Sequence, residues 1–139
     1  MCGKTTRFQA SSLTQMSLRI CALLILAGIP ALADLSGSWS SGGAEVFVLR
    51  QNGNTVTGTI VGKPGELVYK IVDGVIRGNR IHFFVLHDDE NDPEVKANEG
   101  KPFHNLAQGT FTEDEIVVSV SRENTAIRAY RLVLKRIGK

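Results

Sequence analysis

The sequence predicts an all-β domain, an antiparallel up-and-down meander of eight or nine strands closed into a small barrel. Short segments alternate apolar and polar residues with a period of two, and turn residues such as Asn52-Gly53-Asn54 separate them. No window of useful length has apolar residues at helical spacing, so no substantial helix is expected. Sequential hairpins favour a closed barrel, which leaves no sheet edge exposed, and a β-sandwich is the alternative.

The first 33 residues are predicted to be a signal peptide. An apolar run at 20–29 follows Arg19 and ends before Pro30, and it is shorter than the roughly 20 residues that a membrane-spanning helix needs. Ala31 and Ala33 are small residues of the kind found at signal-peptidase sites, which places cleavage after Ala33. Met16 is a second candidate start, because residues 16–33 already form a complete signal peptide. The expected location is the periplasm or the exterior, with no stable membrane anchor after cleavage.

Removal of the leader changes the charge and the cysteine content of the chain. Residues 34–139, predicted to be one domain, carry 13 basic and 14 acidic side chains, a net charge of −1. The basic excess of the full chain therefore belongs to the leader and does not indicate a nucleic-acid partner. Cys2 and Cys21 also lie in the leader, so the mature domain must be stabilised by core packing without disulfides.

The predicted strands follow each other closely along the mature chain. Segment 55–61 shows the clearest alternation, with Val56 and Ile60 on one face and threonines on the other. In-strand glycines at 58, 74 and 109 indicate bends. The nine segments are 35–41, 45–51, 55–61, 67–73, 75–77, 80–87, 104–111, 115–121 and 126–136.

Gly37-Ser38-Trp39 on the first segment and Arg136 on the last resemble the signature of the calycin superfamily, which includes lipocalins, fatty-acid-binding proteins and avidin-like barrels. The resemblance implies that Gly37, Trp39 and Arg136 are structural, with Trp39 closing one end of the barrel under the Arg136 guanidinium. It also implies a small exported bacterial barrel of the lipocalin-like or avidin-like type. Because Trp39 is the only tryptophan, a biotin site is not implied.

The first functional hypothesis is therefore a non-enzymatic binding protein for a small apolar ligand. Its distinguishing feature would be an internal cavity of about 300 Å³ or more, whereas small barrels are often packed solid. A protein-interaction module, such as a periplasmic enzyme inhibitor, is the alternative. The predicted ligand-binding residues are Phe47, Leu49, Val56, Tyr69, Phe83, Val85 and Phe103.

A long polar segment, 88–103, is expected to lie over one mouth of the barrel. It carries six carboxylates, and it is interpreted either as a cation site or as a solvated loop. His87 and His104 bracket it and, with Asp88 or Asp89, could hold a transition metal if the two rings met. Lone histidines at strand ends are commonly only solvated, so we assign no metal and no cofactor.

Segment 81–86 is apolar on both of its faces. If Ile81, Phe83 and Val85 fill the barrel, then His82, Phe84 and Leu86 form an outer stripe suited to a protein partner or a homodimer, unless the long loop covers it. The mature chain lacks nucleophile, zinc-protease, phosphate-loop and C-x-x-C motifs, so we predict no enzyme and no catalytic residues.

Overall fold

Antiparallel strands follow one another in sequence order around a closed barrel, and the last strand pairs with the first. The computed structural model describes residues 33–123 and 125–138. One short helix interrupts the meander. The elements are β1 (Gly37–Ser40), β2 (Val46–Asn52), β3 (Thr55–Val61), β4 (Val68–Arg77), β5 (Arg80–His87), α1 (Pro93–Ala97), β6 (Phe103–Phe111), β7 (Glu115–Arg122) and β8 (Tyr130–Ile137).

The predicted fold class is confirmed. The barrel has eight strands, whereas the sequence predicts nine strand segments. Segments 67–73 and 75–77 form one strand, β4, with a register shift against β5 between Val72 and Val75. Asp73 lies there with φ of 50°, a left-handed conformation that aspartate tolerates better than most residues. Because of this bulge, the side chain of Ile76 faces the barrel interior as that of Ile71 does, although the two residues are an odd number of positions, five, apart. A strict two-residue alternation therefore breaks at this point, although the strand continues.

Inward-facing side chains from all eight strands form one core. On β5, Ile81, Phe83 and Val85 are buried, whereas the alternate residues are only half-buried. The core consists of Leu35, Trp39, Phe47, Leu49, Val56, Ile60, Ile71, Ile76, Ile81, Phe83, Val85, Ala107, Phe111, Ile116, Val118, Val120 and Leu134.

The two ends of the barrel differ in the length of their connections. At one end, which we call the closed end, strands are joined by the short segments 53–54, 78–79 and 112–114. At the opposite, open end, the connections are 41–45, 62–67, 88–102 and 123–129. Binding residues are disproportionately found on loops held by a rigid scaffold, which makes the open end the first place to look for a site.

Trp39 and Arg136 form the contact at the closed end that the calycin resemblance implies. The Arg136 guanidinium carbon lies 4.3 Å from the centroid of the fully buried Trp39 ring. Trp39 Nε1 donates to the Leu35 carbonyl at 3.0 Å. Gly37 has φ of 134°, and a Cβ there would lie 3.3 Å from Arg136 Nη1, so glycine suits both the backbone and the space.

The predicted signal peptide lies outside the described residues except for Ala33, which packs against the core. Its cleavage and the export it implies remain predictions. Within residues 33–123 and 125–138, no helix has the length and apolar character needed to cross a membrane.

Candidate binding site at the open end of the barrel

A cavity of about 170 Å³ occupies the open half of the barrel, and we call it the mouth cavity. Its floor is apolar, and three of its rim residues, Glu45, Glu94 and Tyr130, are exposed to solvent. The cavity is lined by Glu45, Phe47, Ile60, Tyr69, Phe83, Val85, His87, Glu94, Asn105, Ala107, Val120, Tyr130 and Leu132.

Four of the seven residues predicted to bind ligand line this cavity: Phe47, Tyr69, Phe83 and Val85. Leu49 and Val56 do not, because they lie nearer the closed end, where both are packed into the core. The volume is also below the expected 300 Å³. In the closed half of the interior Leu49 and Val56 are packed into the core, and the mouth cavity lies in the open half.

Both ring nitrogens of His87 form hydrogen bonds at the rim of the cavity. Its Nδ1 lies 2.8 Å from Asp92 Oδ2, and its Nε2 lies 3.1 Å from Asn105 Nδ2. The Asn105 Nδ2 amide is a donor, so in this arrangement His87 Nε2 accepts from it and Nδ1–H donates to Asp92. These hydrogen bonds connect β5 to the long connection after it and to β6.

Asp92 also begins the short helix α1. Its Oδ1 accepts from the Glu94 N–H at 2.8 Å, and Pro93 follows at the first helical position. The side chain is almost completely buried. Burial raises the pKa of Asp92, but hydrogen bonds from His87 and from the Glu94 N–H outweigh it, so this pKa lies below its usual value.

Phe103 does not line the mouth cavity but belongs to a stack beside it. Its ring is parallel to the His87 ring, with centroids 4.5 Å apart. The Arg122 guanidinium carbon lies 3.6 Å from the Phe103 centroid on β6, and Arg122 forms an ion pair with Glu94. On the cavity side, the Tyr69 ring centroid is 4.7 Å from that of His87. The stack fixes the side chains that surround the mouth.

Two tyrosine hydroxyls at the rim share an acidic environment. Burial raises the pKa of Tyr69, and Asp92, Glu94 and Glu45 raise it further. Partial burial raises the pKa of Tyr130, and Glu45 and Glu94 raise it further. Both hydroxyls are therefore neutral hydrogen-bonding groups at neutral pH. Glu45 and Glu94 raise the pKa of both tyrosines, because both carboxylates lie near the two hydroxyls.

A metal site formed by His87 and His104 is incompatible with this fold. His87 pairs with Phe103 and faces inward, whereas His104 pairs with Leu86 and faces outward next to Phe84. Neighbours along a strand point to opposite faces, so the two imidazoles cannot meet. Among the described residues, no group of three or more His, Cys, Asp or Glu side chains is arranged to hold a metal ion. Asp88 and Asp89 are exposed.

His82, Phe84 and Leu86 lie on the outer face of β5, as predicted, and each is half-buried. Phe84 contacts His82 and His104 edge to face, with ring centroids 6.4 and 5.8 Å apart. A partner or homodimer contact at this stripe remains a prediction.

Several rim residues were missed in the sequence, although the signals were present. Glu45 and Tyr130 lie two residues before inward core positions, so strand parity could have placed both on the lining. Asp92-Pro93 is a helix-start pattern, an N-cap followed by proline. Asn105 has the parity of the buried Ala107. Its contact with His87 depends on the register between β5 and β6, which a sequence pattern leaves open.

No protein-family model matches the chain, and comparisons with curated proteins and with solved structures found no match either. The resemblance to calycins therefore remains a prediction, although the Arg136–Trp39 contact and the meander barrel that it implies are present.

Proposed function

We propose that this protein is an exported, non-enzymatic barrel that binds a small apolar molecule in the mouth cavity. The observation that carries the proposal is a cavity with an apolar floor and a polar, solvent-exposed rim, at the end where the long connections gather. Ligand sites generally have this composition, a mostly hydrophobic lining with a few placed polar groups.

The size of the cavity sets the size of the ligand. A dry apolar cavity of about 150 Å³ is sufficient to admit benzene. The mouth cavity, at about 170 Å³, therefore has room for one six-membered ring and a short substituent. A larger ligand would have to leave most of its surface outside the barrel.

Filling the cavity is the direct test. Ala107 is fully buried in the cavity lining. In Ala107→Leu, the added atoms should occupy the ligand space and abolish binding of benzyl alcohol. Binding is followed by chemical-shift changes of the backbone amides of β2, β6 and β7. Val120→Leu is a milder filling variant, and Val133→Leu, on the outer face of β8, is the control.

The proposal requires that the wild-type protein and Val133→Leu bind the probe with similar affinity, while the filled variants fold and do not bind. Equal binding by a folded Ala107→Leu would place the probe outside the cavity and contradict the proposed site. A wild-type protein whose lining amides do not respond to the probe would contradict the function.

The alternative, a protein-interaction module such as an inhibitor of a periplasmic enzyme, is favoured by one observation. Ile127 and Tyr130 are 60% and 59% exposed beside the mouth. Together with Arg122 and Arg128 they line a groove that adjoins the mouth cavity. Inhibition of purified secreted hydrolases by the wild-type protein, lost in Ile127→Ser and retained in Ala107→Leu, would support this function over small-molecule binding.

A further inference from the structure

The lining of the mouth cavity has an uneven charge. Among the described residues that line it there are two carboxylates, Glu45 and Glu94, and neither a lysine nor an arginine. Glu45 forms no ion pair within the described part of the chain. Glu94 pairs with Arg122, which itself stacks on Phe103.

Two basic side chains, Arg122 and Arg128, line a groove that adjoins the mouth cavity but are not themselves in the cavity lining. The Arg122 guanidinium is already paired with Glu94 and stacked on Phe103. A ligand carboxylate inside the cavity would therefore lie near Glu45 and Glu94 without an unpaired cation in the lining. Bringing like charges together in a partly desolvated space is unfavourable. Fatty acids and other small carboxylates therefore do not fit this lining.

The walls of the cavity favour the opposite charge. Four aromatic rings line it, from Phe47, Tyr69, Phe83 and Tyr130. The face of an aromatic ring is negative and attracts ammonium groups, with an energy of about 0.5–2 kcal/mol per contact that grows as water is removed. The tyrosine hydroxyls and the Asn105 side-chain oxygen add acceptors. A ring that presents its face to the cavity acts on a cation in the same direction as the carboxylates.

We propose that the ligand is a small organic cation, an ammonium group on an apolar body the size of a single ring. The apolar body lies between Phe47 and Phe83, and the ammonium group lies at the rim near Glu45 and Glu94. This inference rests on the proposed function and specifies the chemical class of its ligand.

Three probes of nearly equal shape separate charge from size: benzylammonium, benzyl alcohol and benzoate. We expect benzylammonium to bind at least tenfold more tightly than benzyl alcohol, with benzoate the weakest of the three. Affinities are measured by titration of the lining amides in NMR spectra at pH 7. Added sodium chloride should reduce the preference for benzylammonium, because it screens the rim carboxylates.

Glu45→Gln tests the carboxylate directly. It should weaken benzylammonium binding about three- to tenfold and leave benzyl alcohol binding unchanged. The matched control is Glu115→Gln at the closed end, where Glu115 pairs with Lys135 far along the barrel from the mouth. This control should change neither affinity.

The outcomes distinguish this inference from the function on which it rests. If benzyl alcohol or benzoate binds as tightly as benzylammonium, or if Glu45→Gln leaves benzylammonium binding unchanged, the cation preference is overturned and the binding barrel stands. If none of the three probes shifts the lining amides, both the cation preference and the proposed function are wrong.

Discussion

The side chain of Arg136 joins its own strand to two other segments of the chain at the closed end. Its Nε donates to the Glu113 carbonyl at 2.8 Å, Nη1 to the Ser36 carbonyl at 3.0 Å and Nη2 to the Asp34 carbonyl at 2.7 Å. Its flat face covers Trp39. A guanidinium is suited to this because its donors point in fixed directions and its face stacks on an aromatic ring.

Arg136→Lys should therefore destabilise the protein although it keeps the charge. A lysine cannot make three divergent hydrogen bonds, and we expect a loss of about 1–3 kcal/mol in the free energy of unfolding. Urea denaturation followed by the fluorescence of Trp39, the only tryptophan, measures it. Arg131→Lys on the exposed face of the same strand is the control, and an equal loss in both variants would contradict the assigned role.

Asp92 predicts a pH dependence whose sign follows from its lowered pKa. A carboxyl whose pKa is lower in the folded state stabilises the fold above its unfolded pKa, about 3.9, and this contribution is lost as the pH falls through the folded value. Asp92→Asn should thus reduce the free energy of unfolding at pH 7 by about 1–3 kcal/mol. The difference from wild type should shrink below about pH 4.

Denaturation of both proteins between pH 3 and 7 measures this difference. Asp88→Asn, which removes an exposed carboxyl 3.6 Å from Lys70, is the control and should have little effect. A difference between wild type and Asp92→Asn that stays constant down to pH 3 would show that the carboxylate charge is not what stabilises this connection.

At the scale of single strands and connections, the tight curvature of the barrel depends on glycine at a few positions where neighbouring strands come close together. A Cβ at Gly109 would lie 1.9 Å from the Val117 carbonyl oxygen on the neighbouring strand, far inside contact distance. Gly58 and Gly74 meet neighbouring carbonyls at 2.1 and 2.3 Å in the same way. The bends expected from these three glycines therefore correspond to close approach of adjacent backbones.

Gly109→Ala should consequently be costly even though alanine has a higher propensity for regular structure. We expect a loss of about 1–3 kcal/mol, the range for overpacking, and a lower melting temperature. Gly43→Ala is the control, because a Cβ there would meet only the Ser41 hydroxyl at 4.0 Å. Calorimetric melting of both variants measures the effect, and similar melting temperatures for the two would refute the steric argument.

How well the sequence predicted each element depended on whether the information was local. The alternation of β3 and β5 and the Asn52-Gly53-Asn54 turn are local, and both strands were predicted with their observed bounds. The start of β8 was placed four residues early, since Ala126 continues an apolar pattern without pairing. The His87–Asp92–Asn105 cluster depends on the register between two strands and on a cap inside a loop, which alternation does not specify.

At the scale of the whole molecule, the export that the predicted leader implies can be tested independently of the barrel. If the leader directs export, the mature protein recovered from the periplasm or medium should begin at Asp34, because cleavage is expected after Ala33. Intact-mass spectrometry with N-terminal sequencing measures this. A mature protein that retains residues 20–33 would contradict the predicted cleavage, and recovery from the cytoplasm alone would contradict export.

Under the proposed function, the space that the ligand needs in the mouth cavity is space that core side chains do not fill. Protein interiors are ordinarily packed to crystal-like density, and methylene groups added to a vacant apolar volume gain dispersion contacts. Substituents that fit the space above Ala107 should thus raise the melting point while eliminating the guest. Under the proposed function, resistance to heat and capacity for a guest are therefore opposed at this position.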